Sequence, residues 1–286
     1  MEHGFTRIGV VGAGHWAATF HAPMMAASPH TMVSAVYGRR IEAAVELADR
    51  YGALATDNFD KFLRHCDAVT FAVPPDVQAR LAPIAAAGGK PLLLEKPLAL
   101  TLDEARSMVE AIDAACVPTQ MVLSKRYSSR IRDFLAQVRD FSVHGARTSF
   151  ISGAFLPGSP FATPWRLEHG AVLDVGPHVL DLLDAVAGRI ESITYTGDPL
   201  DCVSVTTVHA GGAVGQAFIS STVPGEIWDC SVFGPEGVLS APQPEEGERE
   251  QIRRTIAEEF AEVVRTGRSH ALDAHRGLYL QELIQG

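Results

Sequence analysis

Hydrophobic and polar positions in residues 1–123 alternate between two textures. Short apolar runs at Arg7–Val11, Met32–Tyr37, Ala68–Val73, Leu92–Leu94 and Pro118–Leu123 predict buried parallel strands. The segments between them carry helical spacing. A helix is expected from near His15, and Ile41–Arg50 places Ile41, Ala44, Val45 and Ala48 on one face. Pro74-Pro75 ends the third run, Asp76 is a candidate N-cap for Val77–Ala87, and Pro83 predicts a kink or early break in that helix. Gly88-Gly89 stops it. Thr101 and Glu104 form a capping-box signature for a helix reaching about Ala115. Repeated strand–helix units of this length predict an α/β fold with a doubly wound parallel sheet.

The texture changes near Ser124. Ile131–Val138 reads as a helix. Alternating stretches follow at Arg147–Ile151, Ser192–Tyr195, Val203–His209, Val214–Ser220 and Ile227–Phe233. Ala210-Gly211-Gly212 resembles a hairpin turn, so this half predicts an α+β unit with a mostly antiparallel sheet. Pro242–Glu250 is a polar, acidic loop, and Ile252–Arg265 is amphipathic. The expected division is a dinucleotide-binding domain over 1–123 and a substrate-binding domain over 124–286.

Composition narrows the function. A formal net charge of -10 disfavours a nucleic-acid partner. The four cysteines, Cys66, Cys116, Cys202 and Cys230, include no CxxC pair and read as reduced thiols of a cytoplasmic protein. No HExxH or dense Cys/His cluster points to a metal. The N-terminus lacks the basic start and apolar core of a signal peptide. The apolar stretches are interrupted well before the ~18 residues of a membrane span.

The candidate chemistry begins at the end of the first strand. Gly12 permits a tight turn, Gly14 lets backbone approach a pyrophosphate at a helix N-terminus, and Ala17 is the small third position of a GxGxxA loop. An ordinary glycine-rich turn is the bland alternative. Its place at the first strand–helix junction favours dinucleotide binding. The second strand ends at Tyr37-Gly38-Arg39-Arg40, with no acid to take ribose hydroxyls. Arg39 and Arg40 suit a 2′-phosphate, which points to NADP, with NAD as the alternative. Lys96 follows a buried strand and can stabilise a developing alkoxide. Asp174 and His178 stand four apart, and His178 and Asp181 three apart, so a helix would place them on one face. His178 suits proton transfer to or from a hydroxyl/carbonyl couple; Asp174 can hold substrate or orient the histidine, and Asp181 can orient it or cap and solvate the helix.

These motifs together resemble the glucose–fructose oxidoreductase / inositol dehydrogenase (Gfo/Idh/MocA) family. The likeness rests on the GAGHWA loop at Gly12–Ala17, Val73-Pro74-Pro75, Glu95-Lys96-Pro97, Lys125-Arg126-Tyr127, Pro164-Trp165-Arg166 and Leu173–His178. It implies an N-terminal Rossmann domain and a C-terminal α+β domain whose open sheet forms subunit contacts in a homo-oligomer. It implies Lys96, Asp174 and His178 as catalytic positions. It further implies that His15, Trp16, Pro74, Glu95, Lys96, Trp165 and Arg166 join Gly12, Gly14, Arg39 and Arg40 around the cofactor. The implied reaction moves hydride between nicotinamide and a secondary alcohol or ketone of a sugar, keto-sugar or cyclitol. A redox-neutral, glycosidase-type reaction with transient nicotinamide chemistry is one alternative, and a non-enzymatic dinucleotide-binding regulator is another. The chain departs from the pattern at Gln78, where many relatives carry histidine. The glycine-rich stretch before Asp174 is reduced to His169-Gly170-Ala171-Val172, and the second domain is shorter.

Overall fold

A computed structural model describes residues 5–286. The chain divides into two compact units. One runs to Val122 and adds Gly247–Tyr279, and the other comprises Leu123–Glu246 with Leu280–Gly286.

The first unit is built on six parallel strands: β1 (Thr6–Val11), β2 (Thr31–Tyr37), β3 (Leu54–Thr56), β4 (Ala68–Phe71), β5 (Leu92–Leu94) and β6 (Thr119–Met121). Their order is β3-β2-β1-β4-β5-β6, so the direction of winding reverses between β1 and β4. Ile8, Val10, Val69 and Leu92–Leu94 are fully buried, which explains their continuous apolar runs. The connecting helices are α1 (Ala22–Ala26), α2 (Ile41–Asp49), α3 (Phe59–Arg64), α4 (Pro75–Ala87) and α5 (Leu102–Ala115). The capping box of α5 is present, with the Thr101 hydroxyl accepting from the Glu104 amide and the Glu104 carboxylate from the Thr101 amide.

Several expectations shift. The buried face of α2 is Ala44, Leu47 and Ala48, while Val45 is 41% exposed. Helix α4 starts one residue before Asp76: Pro74 is its N-cap and Pro75 occupies the first helical position, where a missing amide costs nothing. It also runs unbroken through Pro83, held by the burial of Leu81, Ala82, Ala85 and Ala86. β3 and α3 are too short for a periodic signal and were not anticipated.

In the second unit a 3-10 turn (Ser124–Tyr127) leads to α6 (Ser129–Val138), β7 (Gly145–Ser152) and the long α7 (Pro164–Ala187). Four strands follow, β8 (Ile190–Gly197), β9 (Cys202–His209), β10 (Val214–Ser220) and β11 (Glu226–Gly234), and a short β12 (Gly237–Ser240) adds to the edge. The order is β12-β11-β7-β10-β9-β8, with only β7 and β10 parallel. Val203, Val205, Ala217, Ile219 and Val232 are buried on the sheet face against which α7 packs. Val208, Val214, Phe218, Ile227 and Phe233 project from the opposite face and are exposed.

After this sheet the chain returns to the first unit as α8 (Glu248–Thr266), whose Ile256, Ala257 and Phe260 are buried. It packs against α1, β2 and β6. The last helix is α9 (Ala274–Gln285). No helix among the described residues is long and apolar enough to cross a membrane. Among the same residues no group of three or more His, Cys, Asp and Glu is placed to hold a metal ion.

Candidate active site

In the first unit, a cleft of about 510 Å³ opens at the carboxyl end of the parallel sheet. It is lined by the loops that follow β1, β2 and β4, and includes Gly12, Gly14, Arg39, Arg40 and Pro74. This is the point of reversed winding, where open α/β sheets bind ligands. The two glycines serve different ends. Gly12 sits at φ +116°, and a Cβ there would lie 2.4 Å from the Ala72 carbonyl oxygen, so the turn itself demands glycine. Gly14 would meet nothing within 4 Å, so its missing side chain leaves open space in the cleft. That space over backbone amides at a helix start fits a pyrophosphate. Arg39 and Arg40 are exposed and make no ion pair among the described residues. Two uncommitted cations beside the end of β2 fit a phosphate on the adenosine ribose.

His15 and Trp16 stand beyond the glycine loop and do not line this cleft. The helix they open contains a π-turn at Ala17–His21, which the sequence did not foreshadow. Trp16 stacks on Phe20 with ring centroids 4.5 Å apart, and its indole N–H donates to Glu95 Oε1 at 2.7 Å. His21, fully buried, places Nε2 2.8 Å from the same oxygen and Nδ1 2.8 Å from the Thr70 hydroxyl. A carboxylate only accepts, so Nε2 carries the proton. Glu95 Oε2 accepts from the Lys96 amide at 3.1 Å. Burial pushes the Glu95 carboxyl up. The hydrogen bond and charge of His21, the charge of Lys96 and the Trp16 indole outweigh it and hold the group below the ordinary glutamate range.

Lys96 follows β5, is half-buried, and precedes Pro97 through a cis peptide bond. Gln78 braces this segment. Its Oε1 accepts from the Glu95 amide at 2.8 Å, while Nε2 donates to the carbonyls of Glu95 at 2.8 Å and Leu98 at 3.0 Å. Backbone that has left the sheet needs such partners. An amide supplies one acceptor and two donors where neutral imidazole supplies one of each, so the departure at Gln78 has a structural reason.

In the second unit, α7 carries Trp165, Arg166, Asp174 and His178. The backbone leaves helical geometry at Gly170 (φ 76°, ψ 178°) and then stays helical through Gly176-Pro177. Arg166 Nε donates to Asp174 Oδ2 at 3.0 Å, and its guanidinium lies 4.5 Å from the Trp165 ring centroid. Arg166, expected at the cofactor, is thus engaged with Asp174. Asp181, 1% exposed, accepts from Arg126 at 3.0 and 3.1 Å, so it is tied to Arg126 rather than capping or solvating the helix. His178 is half-buried one turn beyond Asp174. The sequence missed His21, Thr70 and the bracing by Gln78; Arg126 stood in a motif without a role.

Comparison with known proteins identifies the family. Residues 6–121 match the model of an oxidoreductase family with an NAD-binding Rossmann fold, and residues 141–240 match the GFO/IDH/MocA C-terminal domain. The chain is 32% identical over 244 residues to dTDP-3,4-didehydro-2,6-dideoxy-alpha-D-glucose 3-reductase of Streptomyces violaceoruber, covering 82% of this chain and 68% of that protein. It is 27% identical over 267 residues to mouse (Mus musculus) trans-1,2-dihydrobenzene-1,2-diol dehydrogenase, covering 86% and 79%. The crystal structure of GenD2 from gentamicin A biosynthesis, in complex with NAD, superposes with a TM-score of 0.87 at 24% identity over 98% of this chain and 92% of that one, a likeness of fold. With both of its domains matched, the chain belongs to the GFO/IDH/MocA family of oxidoreductases.

Proposed function

We infer that this oxidoreductase uses NADP and acts on the secondary alcohol or ketone of a sugar, keto-sugar or cyclitol. The observation that carries the cofactor reading is the pair Arg39 and Arg40, exposed and without ion-pair partners among the described residues, in the cleft that Gly12 and Gly14 line. An NAD site would place a carboxylate there for the ribose hydroxyls. The names of similar proteins, which include a levoglucosan dehydrogenase and a 1,5-anhydro-D-fructose reductase, support the carbohydrate class.

Bound nicotinamide supplies or accepts the hydride. Lys96 polarises the substrate oxygen and stabilises charge as it develops. His178 gives or takes the hydroxyl proton, and Asp174, held by Arg166, orients substrate. The stretch 1–123 binds cofactor, and 124–286, apart from the Gly247–Tyr279 segment that joins the first unit, binds substrate and self-associates. The exposed apolar positions Val208, Val214, Phe218, Ile227 and Phe233 on the open sheet face support a homo-oligomer. Four free cysteines, two of them exposed, support a reducing, cytoplasmic setting.

The test is optical turnover of NADPH and NADH, and of their oxidised forms, against sugars, keto-sugars, cyclitols and small carbonyls. Wild type, Lys96→Ala and His178→Ala are compared. Turnover with NADPH that collapses in both variants is the expected result. Tight cofactor binding with no turnover on any compound would overturn it.

A further inference from the structure

The π-turn at Ala17–His21 has a geometric consequence. In a regular α-helix, residues five apart point to different sides. A π-turn, closed between residues five apart, brings them toward one another. Trp16 and His21 are such a pair, and both reach Glu95 Oε1, at 2.7 and 2.8 Å. The helix that opens beyond the glycine loop is therefore tied to the segment that follows β5. Beneath it, Thr70 in β4 holds the far nitrogen of His21 at 2.8 Å. Above it, the other carboxylate oxygen of Glu95 receives the Lys96 amide at 3.1 Å.

Glu95 thus faces inward. It is 8% exposed, and both of its oxygens already have protein donors. The same short segment is gripped from the other side by Gln78. The carboxylate is a strut between two loops rather than a group offered to a ligand.

We propose that Glu95 is a positioning residue: fixed by Trp16 and His21 across the π-turn, it holds the Lys96 backbone, and so the Lys96 side chain, in its working orientation. The inference rests on the reading of Lys96 as the group that polarises substrate. It assigns Trp16 to the strut rather than to direct contact with the dinucleotide.

Two variants isolate the strut. Glu95→Gln keeps the shape but turns one acceptor oxygen into a donor, which must oppose either the Lys96 amide or the Trp16 and His21 donors. Trp16→Phe keeps an aromatic ring beside Phe20 and deletes the indole N–H together with part of the ring. Both are measured beside Lys96→Ala and the Glu95→Gln/Lys96→Ala double variant, on the best substrate of the panel. NADPH dissociation constants come from fluorescence titration, and folding is checked by thermal melting. In cofactor-free protein, the ¹⁵N–¹H resonance of the Trp16 indole is identified by its loss in Trp16→Phe.

Glu95→Gln is expected to lower kcat ~10- to 100-fold, the scale of a misplaced catalytic group, with NADPH affinity held within about threefold. Trp16→Phe falls between it and wild type. In the Lys96→Ala background, Glu95→Gln adds no further loss, because both changes act through one side chain. The Trp16 indole resonance moves in Glu95→Gln. An additive loss in the double variant, or a fall in NADPH affinity with kcat intact, overturns the inference while leaving Lys96 catalytic. Full turnover by Lys96→Ala overturns the reading of Lys96, and the inference with it.

Discussion

Arg166 and Asp174 stand eight residues apart on α7, yet Arg166 Nε lies 3.0 Å from Asp174 Oδ2. Eight residues of straight helix would rise ~12 Å. The contact exists because the helix breaks at Gly170 between them, in a backbone region (φ 76°, ψ 178°) that only glycine visits readily. The break lets the Arg166 side chain reach Asp174 across it.

Gly170→Ala should therefore be costly on two counts. The backbone region alone costs a non-glycine residue about 1–3 kcal/mol. The added Cβ would also lie 2.0 Å from the Pro199 carbonyl oxygen, a backbone atom that does not give way easily. A fall of 2 kcal/mol or more is expected, on the order of that strain plus the clash. Urea melts followed by circular dichroism check it, and an unchanged midpoint would show that the break is not needed.

Removing the cation from the same pair has a separate signature. Asp174 is 9% exposed in its side chain, so Arg166→Ala leaves a largely buried carboxylate without its guanidinium. Stability should drop by about 2 kcal/mol, less than for a fully buried pair because Arg166 is partly exposed. Asp174→Asn in the Arg166→Ala background should recover part of that loss, since the buried charge that lost its guanidinium is gone. Denaturant midpoints of the two singles and the double decide it.

Cofactor preference turns on the charges at the end of β2. Arg39→Ala and Arg40→Ala should each weaken NADPH by about tenfold, as expected for loss of one charge-assisted contact of ~1.4 kcal/mol, while NADH binding barely changes. Fluorescence titration with both dinucleotides separates the cases. Equal losses for both would mean the arginines do not read the ribose phosphate.

Acid stability reports on Glu95. Its folded carboxyl sits below the ordinary value of 4.5. The unfolded chain therefore takes up the proton first as pH falls. The contribution of the ionised group is complete above the unfolded value and is lost on acidification from about 4.5 toward the lower folded value. The stability gap between wild type and Glu95→Gln should accordingly shrink as pH is lowered through that range. Urea melts at stepped pH measure it; a constant gap would contradict the shift.

The features legible in the chain are those with a local physical cause. A buried parallel strand needs an unbroken apolar run, as in Leu92–Leu94, and a helix start needs a cap, as at Thr101 and Glu104. The turn at Gly12 needs a backbone that only glycine supplies. Those constraints act over a few residues, so the amino-acid order determines them, and with them the alternation that winds the first sheet. Tertiary structure decided what depends on pairing across the chain. Trp16 and His21 meet Glu95 from 79 and 74 residues away, and only because the helix takes a π-turn. Gln78 braces Glu95 from 17 residues away, and Arg126 rather than solvent claims Asp181, 55 residues on. Hydrogen bonds and ion pairs are contacts of ~3 Å, and no period in the sequence carries that distance. The residue types could be read from the chain; which of them meet was set by packing.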